Sequence, residues 1–311
     1  MERPHRIDVH HHPTPAFELM QGRTIGIAGL KNWTASISLE DMDKNGVATA
    51  ILSLPHRAAQ WRGDRMRARA IARQWNEFMT RQASDHPGRF GVFAAVPVLD
   101  IEGSLIEAEY ALDSLKADGI NLMTNIGDKW LGDPHYFPLF EELNRRKAVV
   151  YTHPISPDCI QNAMMPDIDD SMIEFTTDTS RAIAKLLFSG GAHRFRNIRF
   201  IFSHAGGTMP FILERFTRHA LTDKEAAAQI PDGVLAYLQQ FYYDTAQAAH
   251  THAMSSIMTF IATTQLLFGT DFPFRNAEDH VHGLNACGFS EAALFAIECG
   301  NARRLMPRWS A

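Results

Sequence analysis

Short apolar runs alternate along this chain with longer stretches in which polar and apolar positions mix. Some runs, such as Val47–Leu54, are almost entirely apolar. A continuous apolar run is typical of a strand that is covered on both faces, as in a parallel sheet. Eight runs predict strands: Ile7–His11, Val47–Leu54, Phe90–Val96, Gly119–Thr124, Ala148–His153, Arg199–His204, Tyr242–Thr245 and Leu266–Asp271.

The stretches between these runs carry signals for amphipathic helices. Asp133 is followed by a proline, which predicts a capped helix reaching about Lys147. Ser290 is predicted to cap the last helix. The segment Ser38–Asp41 resembles a capping box, and Gly46 would end the helix that it opens.

Strand followed by helix, repeated eight times, predicts a closed (β/α)8 TIM barrel. A doubly wound open sheet is the alternative, and the placement of the candidate site residues disfavours it. No low-complexity tract or clear linker interrupts the chain, so residues 1–311 are expected to form a single domain. Three long irregular stretches each follow a strand, where the active-site loops of a barrel lie: Pro13–Asn32, Pro55–Gly63 and Pro154–Asp170.

Composition and charge narrow the class of protein. A net charge of -5 lacks the basic balance of a nucleic-acid binder. No apolar run reaches the roughly 18 residues of a membrane span, and no apolar leader precedes the first strand. We therefore expect a cytoplasmic protein with neither nucleic acid nor membrane as a partner. Cys159, Cys287 and Cys299 form no CxxC pair, which argues against disulfides and a cysteine-based zinc site.

Histidine or aspartate stands at the end of four predicted strands. His10 and His12 end the first strand and point the same way, because side chains alternate along a strand. His153 ends the fifth strand, His204 the sixth and Asp271 the eighth. A single histidine at a strand end is more often structural than functional, but four strands that end this way are hard to obtain by chance. These residues predict a site at the carboxyl-terminal mouth of the barrel.

The pattern of HxH on strand one, His on strands five and six, and Asp on strand eight resembles the amidohydrolase superfamily. The residues in and around these motifs are similar to those of its decarboxylase-rich branch. That branch includes aminocarboxymuconate-semialdehyde, γ-resorcylate, 5-carboxyvanillate and 6-methylsalicylate decarboxylases. The resemblance spans about Ile7 to Leu305. It rests on Ile7–His12, Leu122–Asn125, Leu131–Pro134, Phe140–Asn144, Thr152–Pro154, Ser203–Gly207 and Gly269–Pro273.

The resemblance implies one divalent metal ion held by His10, His12, His153 and Asp271, with Zn²⁺ expected and Mn²⁺ as the alternative. No lysine stands at a plausible end of the fourth strand, so a two-metal site with a carbamylated lysine is not supported. The resemblance also implies that His204 and Asp271 move protons and that no organic cofactor is required. The two glycines after His204 are expected to let the backbone approach the site.

The activity implied is non-oxidative decarboxylation of an ortho-hydroxy aromatic acid such as 6-methylsalicylate. Hydrolysis of a lactone or amide, or hydration of a ring-cleavage acid, uses the same ligands and stays the alternative. A catalytically inactive barrel with a binding role is disfavoured by the intact residue set. Arg57 is a candidate anchor for the substrate carboxylate, and Trp33 and Phe272 are candidate walls. The resemblance also implies a homodimer or homotetramer.

Other polar residues near the motifs have plainer interpretations. His11 points away from the site and is expected to be structural. Asp244 is predicted either to hydrogen-bond a ligand histidine or to cap a helix. His250 and His252 are expected at a helix start, and His280 is expected on the surface.

Overall fold

The computed structural model describes residues 5–13, 33–54, 64–127, 129–157 and 167–310. Eight parallel strands there follow one another around a single sheet in chain order. They are β1 Arg6–His11, β2 Val47–Leu52, β3 Phe90–Ala95, β4 Gly119–Met123, β5 Val149–His153, β6 Arg199–Phe202, β7 Tyr242–Asp244 and β8 Leu266–Leu267. The last strand returns to the first: Val9 N donates to Phe268 O, and Asp271 N donates to His10 O, both at 2.9 Å. The predicted (β/α)8 barrel is confirmed.

Helices surround the barrel. Those in the described ranges are α1 Ala35–Lys44, α2 Arg65–Asp85, α3 Ile101–Glu109, α4 Phe137–Arg146, α5 Glu174–Phe188, α6 Gly191–Arg194, α7 Met209–Thr222, α8 Lys224–Gln229, α9 Val234–Leu238, α10 Thr251–Ile257, α11 Ala277–Asn285, α12 Glu291–Phe295 and α13 Asn301–Leu305. A short antiparallel hairpin, Asn125–Ile126 with Lys129–Trp130, follows β4. Within the described ranges, no helix combines the length and apolar character that crossing a bilayer requires.

Two predicted helix caps are confirmed. Asp133 accepts a hydrogen bond from His135 N at the start of the turn that leads into α4. That helix ends before Lys147, whose φ of 54° closes it in the left-handed conformation. Ser290 accepts from Ala293 N at the start of α12. Both caps satisfy backbone donors that a helix start leaves without intrahelical partners.

The capping box predicted at Ser38–Asp41 is wrong. Thr34 caps α1 instead, with its side chain accepting from Ile37 N. Ser38 lies one turn inside the helix, and its Oγ bonds His11 Nε2 at 2.7 Å and Trp33 Nε1 at 2.9 Å. The serine therefore serves a tertiary contact to β1, which a local capping pattern does not reveal.

The apolar core has two parts, one on each side of the sheet. An outer part fills the space between strands and helices. The inner part fills the barrel with side chains from successive strands, including Ile7, Val9, Ile51, Phe93, Tyr151, Ile201 and Leu267. The segment after α12 closes the amino-terminal end of the barrel with Leu305 and Met306. In a barrel of this kind the functional site lies at the opposite, carboxyl-terminal mouth.

Candidate active site

Three histidines and one aspartate converge at the carboxyl-terminal mouth of the barrel. The Nε2 atoms of His10 and His12 lie 3.0 Å apart. Asp271 Oδ1 lies 3.2 Å from His10 Nε2 and 3.3 Å from His12 Nε2. The ring of His153 stands 5.0 Å and 4.9 Å, centre to centre, from the other two rings. All four side chains are buried, and one possible ligand atom from each lies within 4.8 Å of all the others.

This spacing suits a single metal ion. In a tetrahedral zinc site with bonds of about 2.1 Å, neighbouring ligand atoms stand about 3.4 Å apart. The observed separations among His10, His12 and Asp271 are 3.0 to 3.3 Å. Asp271 Oδ1 is buried and accepts no hydrogen bond among the described residues, which is unfavourable unless a cation satisfies it. The four residues could therefore bind one divalent ion.

The second ring nitrogen of each of these histidines has a fixed partner. Each Nδ1 contacts an oxygen: His10 with Asp244 Oδ2 at 2.9 Å, His12 with Ser53 O at 3.3 Å and His153 with Pro154 O at 2.8 Å. An acceptor at Nδ1 keeps the proton there and presents the Nε2 lone pair to the centre. The predicted hydrogen bond between Asp244 and a histidine of the cluster is confirmed.

Burial and charge set the protonation of the cluster. Burial favours neutral His10, but the carboxylates of Asp244 and Asp271 outweigh burial and raise the pKa of His10 to about 10. Burial lowers the pKa of His12 and His153. Burial opposes ionisation of Asp271 as well, yet its histidine neighbours hold its pKa well below the usual value. Asp271 is therefore ionised and His12 and His153 are neutral, as metal ligands must be, whereas His10 carries a proton in the metal-free protein that a divalent ion must displace.

His204 lies beside this cluster without belonging to it. Its Nε2 stands 3.6 Å from Asp271 Oδ2, on the side of the carboxylate away from the ligand oxygen. Its backbone N donates to Asp244 Oδ1 at 2.9 Å. The Nδ1 atom of His204 is buried and has no hydrogen-bond partner among the described residues. A histidine held in this way is available to a bound molecule.

The strands that carry His204 and Asp271 end earlier than their apolar patterns predicted. β6 ends at Phe202 and β8 at Leu267. His204, Ala205 and Asp271 have φ values of 53°, 53° and 63°, in the left-handed region. That conformation cannot continue a strand and is unfavourable by about 1–2 kcal/mol for a residue with a Cβ atom. Such backbone strain gathers at functional sites, where it aims side chains that a regular strand would not.

Comparison with known proteins agrees with this geometry. A family profile described as amidohydrolase matches residues 7–308. The chain belongs to the amidohydrolase family. The resemblance that the strand-end motifs predicted is thereby confirmed.

Characterised relatives of this amidohydrolase are named as decarboxylases. The decarboxylase yanB of Aspergillus niger is 35% identical, with 86% of this chain and 77% of the relative covered. A 6-methylsalicylic acid decarboxylase of Penicillium expansum is 31% identical, with 97% and 96% covered. A dihydroxybenzoic acid decarboxylase of Polaromonas sp. JS666, solved with manganese and the inhibitor 2-nitroresorcinol, has the same fold. Its TM-score is 0.83 at 23% identity, with 97% of each chain covered.

Gly207, the second glycine after His204, packs closely against a helix in this amidohydrolase. A Cβ atom at Gly207 would lie 2.0 Å from Thr176 O, so this glycine lets the loop pack against α5. At Gly207 the close approach is therefore between loop and helix. The expectation that both glycines bring backbone towards the site stays a prediction.

Replacing Gly207 by alanine is expected to lower the free energy of unfolding by about 3 kcal/mol, because left-handed strain and the clash with Thr176 add. Urea unfolding measures the change. Gly288→Ala is the matched control: its φ is 75° and a Cβ atom there meets nothing within 4 Å. It should lose only about 1 kcal/mol. Equal losses in the two variants would contradict the packing role.

The predicted substrate-contact residues fall in different places. Arg57 lies outside the described residues. The indole of Trp33 bonds Ser38 and packs edge-on against Phe78, away from the histidine cluster. The ring of Phe272 stacks on His11 at 4.7 Å. Neither aromatic ring contacts a predicted metal ligand in the described structure, so their roles as substrate walls stay predictions.

Of three other histidines for which the sequence predicted a position, two lie as predicted and one does not. His11 bonds Asp8 and Ser38 and faces away from the cluster, as predicted. His250 caps α10, also as predicted. The prediction of a surface position for His280 is wrong, because the residue is 1% exposed and its Nε2 accepts from Gln247 N.

Three further side chains lie near the cluster. Phe274 presents its ring edge-on to His12 at 5.9 Å, and Phe175 does so to His153 at 6.3 Å. Gln247 donates from Nε2 to Asp271 Oδ2 at 3.0 Å. Phe274 and Gln247 follow the ends of β8 and β7, which is the one signal in the sequence that points to them.

Proposed function

We propose that this amidohydrolase is a metal-dependent decarboxylase that removes CO2 from an ortho-hydroxy aromatic carboxylic acid. The observation that carries the proposal is the convergence of three imidazoles and Asp271 Oδ1 on one point, with His204 beside Asp271 Oδ2. The decarboxylases found among its relatives at 31% and 35% identity favour this reaction over hydrolysis or hydration. A 6-methylsalicylate-like acid is the proposed substrate.

The resident cofactor is proposed to be one divalent ion on His10, His12, His153 and Asp271. Three nitrogen donors and one oxygen suit Zn²⁺ and Mn²⁺, and the manganese in a related decarboxylase structure keeps Mn²⁺ in contention with the expected Zn²⁺. When bound, the ion supplies a Lewis acid and a template for the carboxylate and ortho-hydroxyl groups of the substrate. No organic cofactor is required by this chemistry.

The protein's own residues supply the proton. The ring carbon that carries the carboxylate must be protonated before the bond to CO2 breaks. Asp271 Oδ2 and His204 Nε2 lie 3.6 Å apart and can hold that proton between them. Transfer to the ring carbon forms a C–H bond and interrupts the aromatic system. The C–C bond then breaks, its electron pair restores the ring, and CO2 leaves.

Aromatic side chains favour a flat substrate at this mouth. Phe175 and Phe274 place ring edges against His153 and His12 on two sides of the cluster. Arg57, five positions beyond β2 in the sequence, is proposed as the carboxylate anchor, and Trp33 and Phe272 as more distant walls. A homodimer or homotetramer remains our prediction for the assembly.

Metal dependence with a panel of acids tests the function. The protein is stripped with a chelator and reloaded with Zn²⁺ or Mn²⁺. CO2 release and ultraviolet absorbance are then followed with 6-methylsalicylate, γ-resorcylate and 5-carboxyvanillate. We expect CO2 release from at least one acid, slower by about 100-fold or more without metal, because the Lewis acid contributes several kcal/mol to the transition state.

The matched control substrate is 3-hydroxybenzoate, whose hydroxyl group cannot chelate an ion together with the carboxylate. It should release no CO2. Absorbance change without CO2 from the other acids would favour the hydrolase or hydratase alternative. Absence of CO2 from the whole panel, with one ion bound per chain, would overturn the decarboxylase proposal and leave the metal centre in place.

A further inference from the structure

Gln247 is the residue at the site that the proposed chemistry does not yet use. It follows β7 by three residues, and its side chain is exposed at the mouth of the barrel. Its Nε2 donates to Asp271 Oδ2 at 3.0 Å. Its φ is 56°, which is unfavourable for a residue with a Cβ atom.

The backbone of Gln247 is held in place by a buried histidine of α11. Gln247 N donates to His280 Nε2 at 3.0 Å. His280 Nδ1 in turn lies 3.0 Å from Asn276 O, so the ring carries its proton on Nδ1 and accepts at Nε2. Strain of this kind persists where the surrounding structure enforces it, and it is concentrated at functional positions.

The two oxygens of Asp271 have different surroundings. Oδ1 faces His10 Nε2 and His12 Nε2 at 3.2 Å and 3.3 Å. Oδ2 accepts from Gln247 and faces His204 at 3.6 Å. A carboxylate without the second restraint could rotate and present both oxygens to a divalent ion, since carboxylates bind in one-oxygen and two-oxygen modes. Rotation would also take Oδ2 away from His204.

We propose that Gln247 is a positioning residue for Asp271, holding Oδ2 at the mouth so that the carboxylate binds the metal ion through Oδ1 alone. Oδ2 then stays beside His204, where the proposed reaction needs it. A neutral amide suits this task because it donates without adding a charge. The inference rests on the proposed metal site and on the proposed role of Oδ2 in proton transfer.

The direct test is crystallographic, with Mn²⁺ as the probe. Crystals of the Mn²⁺-loaded wild type and of Gln247→Leu are compared for the distance from each Asp271 oxygen to the ion. We expect one bonded oxygen in the wild type and two in the variant. Two bonded oxygens in the wild type, or one in both proteins, would overturn the proposal. This readout requires no turnover, so it stands even if the decarboxylase function fails.

Kinetics and metal affinity separate positioning from a general structural role. For Gln247→Leu and for the charge-adding Gln247→Glu, we expect kcat to fall by about 10–100-fold, as for residues that orient metal ligands. KM should stay within threefold of wild type, and the melting temperature within a few degrees. For the leucine variant, the Mn²⁺ dissociation constant should also stay within threefold. Parallel loss of kcat, Mn²⁺ affinity and melting temperature would contradict positioning, as would an unchanged kcat.

Gln240→Leu is the matched control for the exchange of an exposed glutamine. Gln240 lies in the turn before β7, away from the site residues. Its Nε2 donates to Ala236 O at 3.0 Å. It should leave kcat, KM and Mn²⁺ affinity unchanged. An equal fall in kcat in this control would show that the effect of Gln247→Leu is not specific to Asp271.

Discussion

Asp271→Asn is expected to lower kcat by a factor on the order of 10³ while the barrel stays folded, because a residue that moves a proton contributes about 10²–10⁴-fold. The exchange keeps the shape of the side chain but removes its charge. The oxygen that faces His10 and His12 would no longer be negatively charged. The group that replaces Oδ2 could no longer carry a proton towards the substrate. Both changes act on the same step.

The measurement is kcat at saturating Mn²⁺, together with thermal unfolding followed by circular dichroism. Saturating metal separates the two losses: recovery of kcat would assign Asp271 to metal binding alone. Asp279→Asn is the control, because Asp279 is exposed and pairs with Arg275 at 3.7 Å. It should keep kcat within twofold of wild type. Undiminished turnover in Asp271→Asn would remove the basis of the proposed site.

Asp244→Asn is expected to weaken Mn²⁺ binding by about 100-fold, the upper end for residues that orient metal ligands. Asp244 is fully buried, and its Oδ1 accepts from His204 N at 2.9 Å and Ala246 N at 3.0 Å. These two donors will hold the asparagine oxygen in the same place, which turns the new NH2 group towards His10 Nδ1. His10 must then accept at Nδ1 and carry its proton on Nε2, where the metal ion binds.

Competition with a chelator measures the affinity, and urea unfolding of the metal-free protein measures the stability. Asp244→Ala provides the contrast: it leaves three donors buried without acceptors and should lower the free energy of unfolding by about 3 kcal/mol or more. Asp118→Asn is the buried control, since its side chain is 1% exposed and pairs with Arg308 at the other end of the barrel. In Asp118→Asn the free energy of unfolding should change, whereas the Mn²⁺ affinity should not. Wild-type affinity in Asp244→Asn would refute the tautomer argument.

The sequence by itself determined the barrel and the position of its site. Apolar runs at regular intervals are enough to predict strands, because a strand that is buried on both faces needs apolar side chains at almost every position. His10, His12, His153 and Asp271 could be found because each ends a predicted strand, and the ends of parallel strands meet at one mouth. Family resemblance then separated His204 from the four ligands, which spacing alone would not have done.

Only the tertiary structure decided how these residues are held. The sequence left two roles open for Asp244, and only the structure shows that it bonds His10, 234 positions away. Gln247 bonds Asp271 across 24 positions, a contact that no local pattern records. The burial of His280 was missed for the same reason. The left-handed backbones of His204, Ala205 and Asp271 are a further feature that apolar patterns do not encode. Strand ends are a property of local sequence, whereas hydrogen-bond partners and strain depend on which elements the fold brings together.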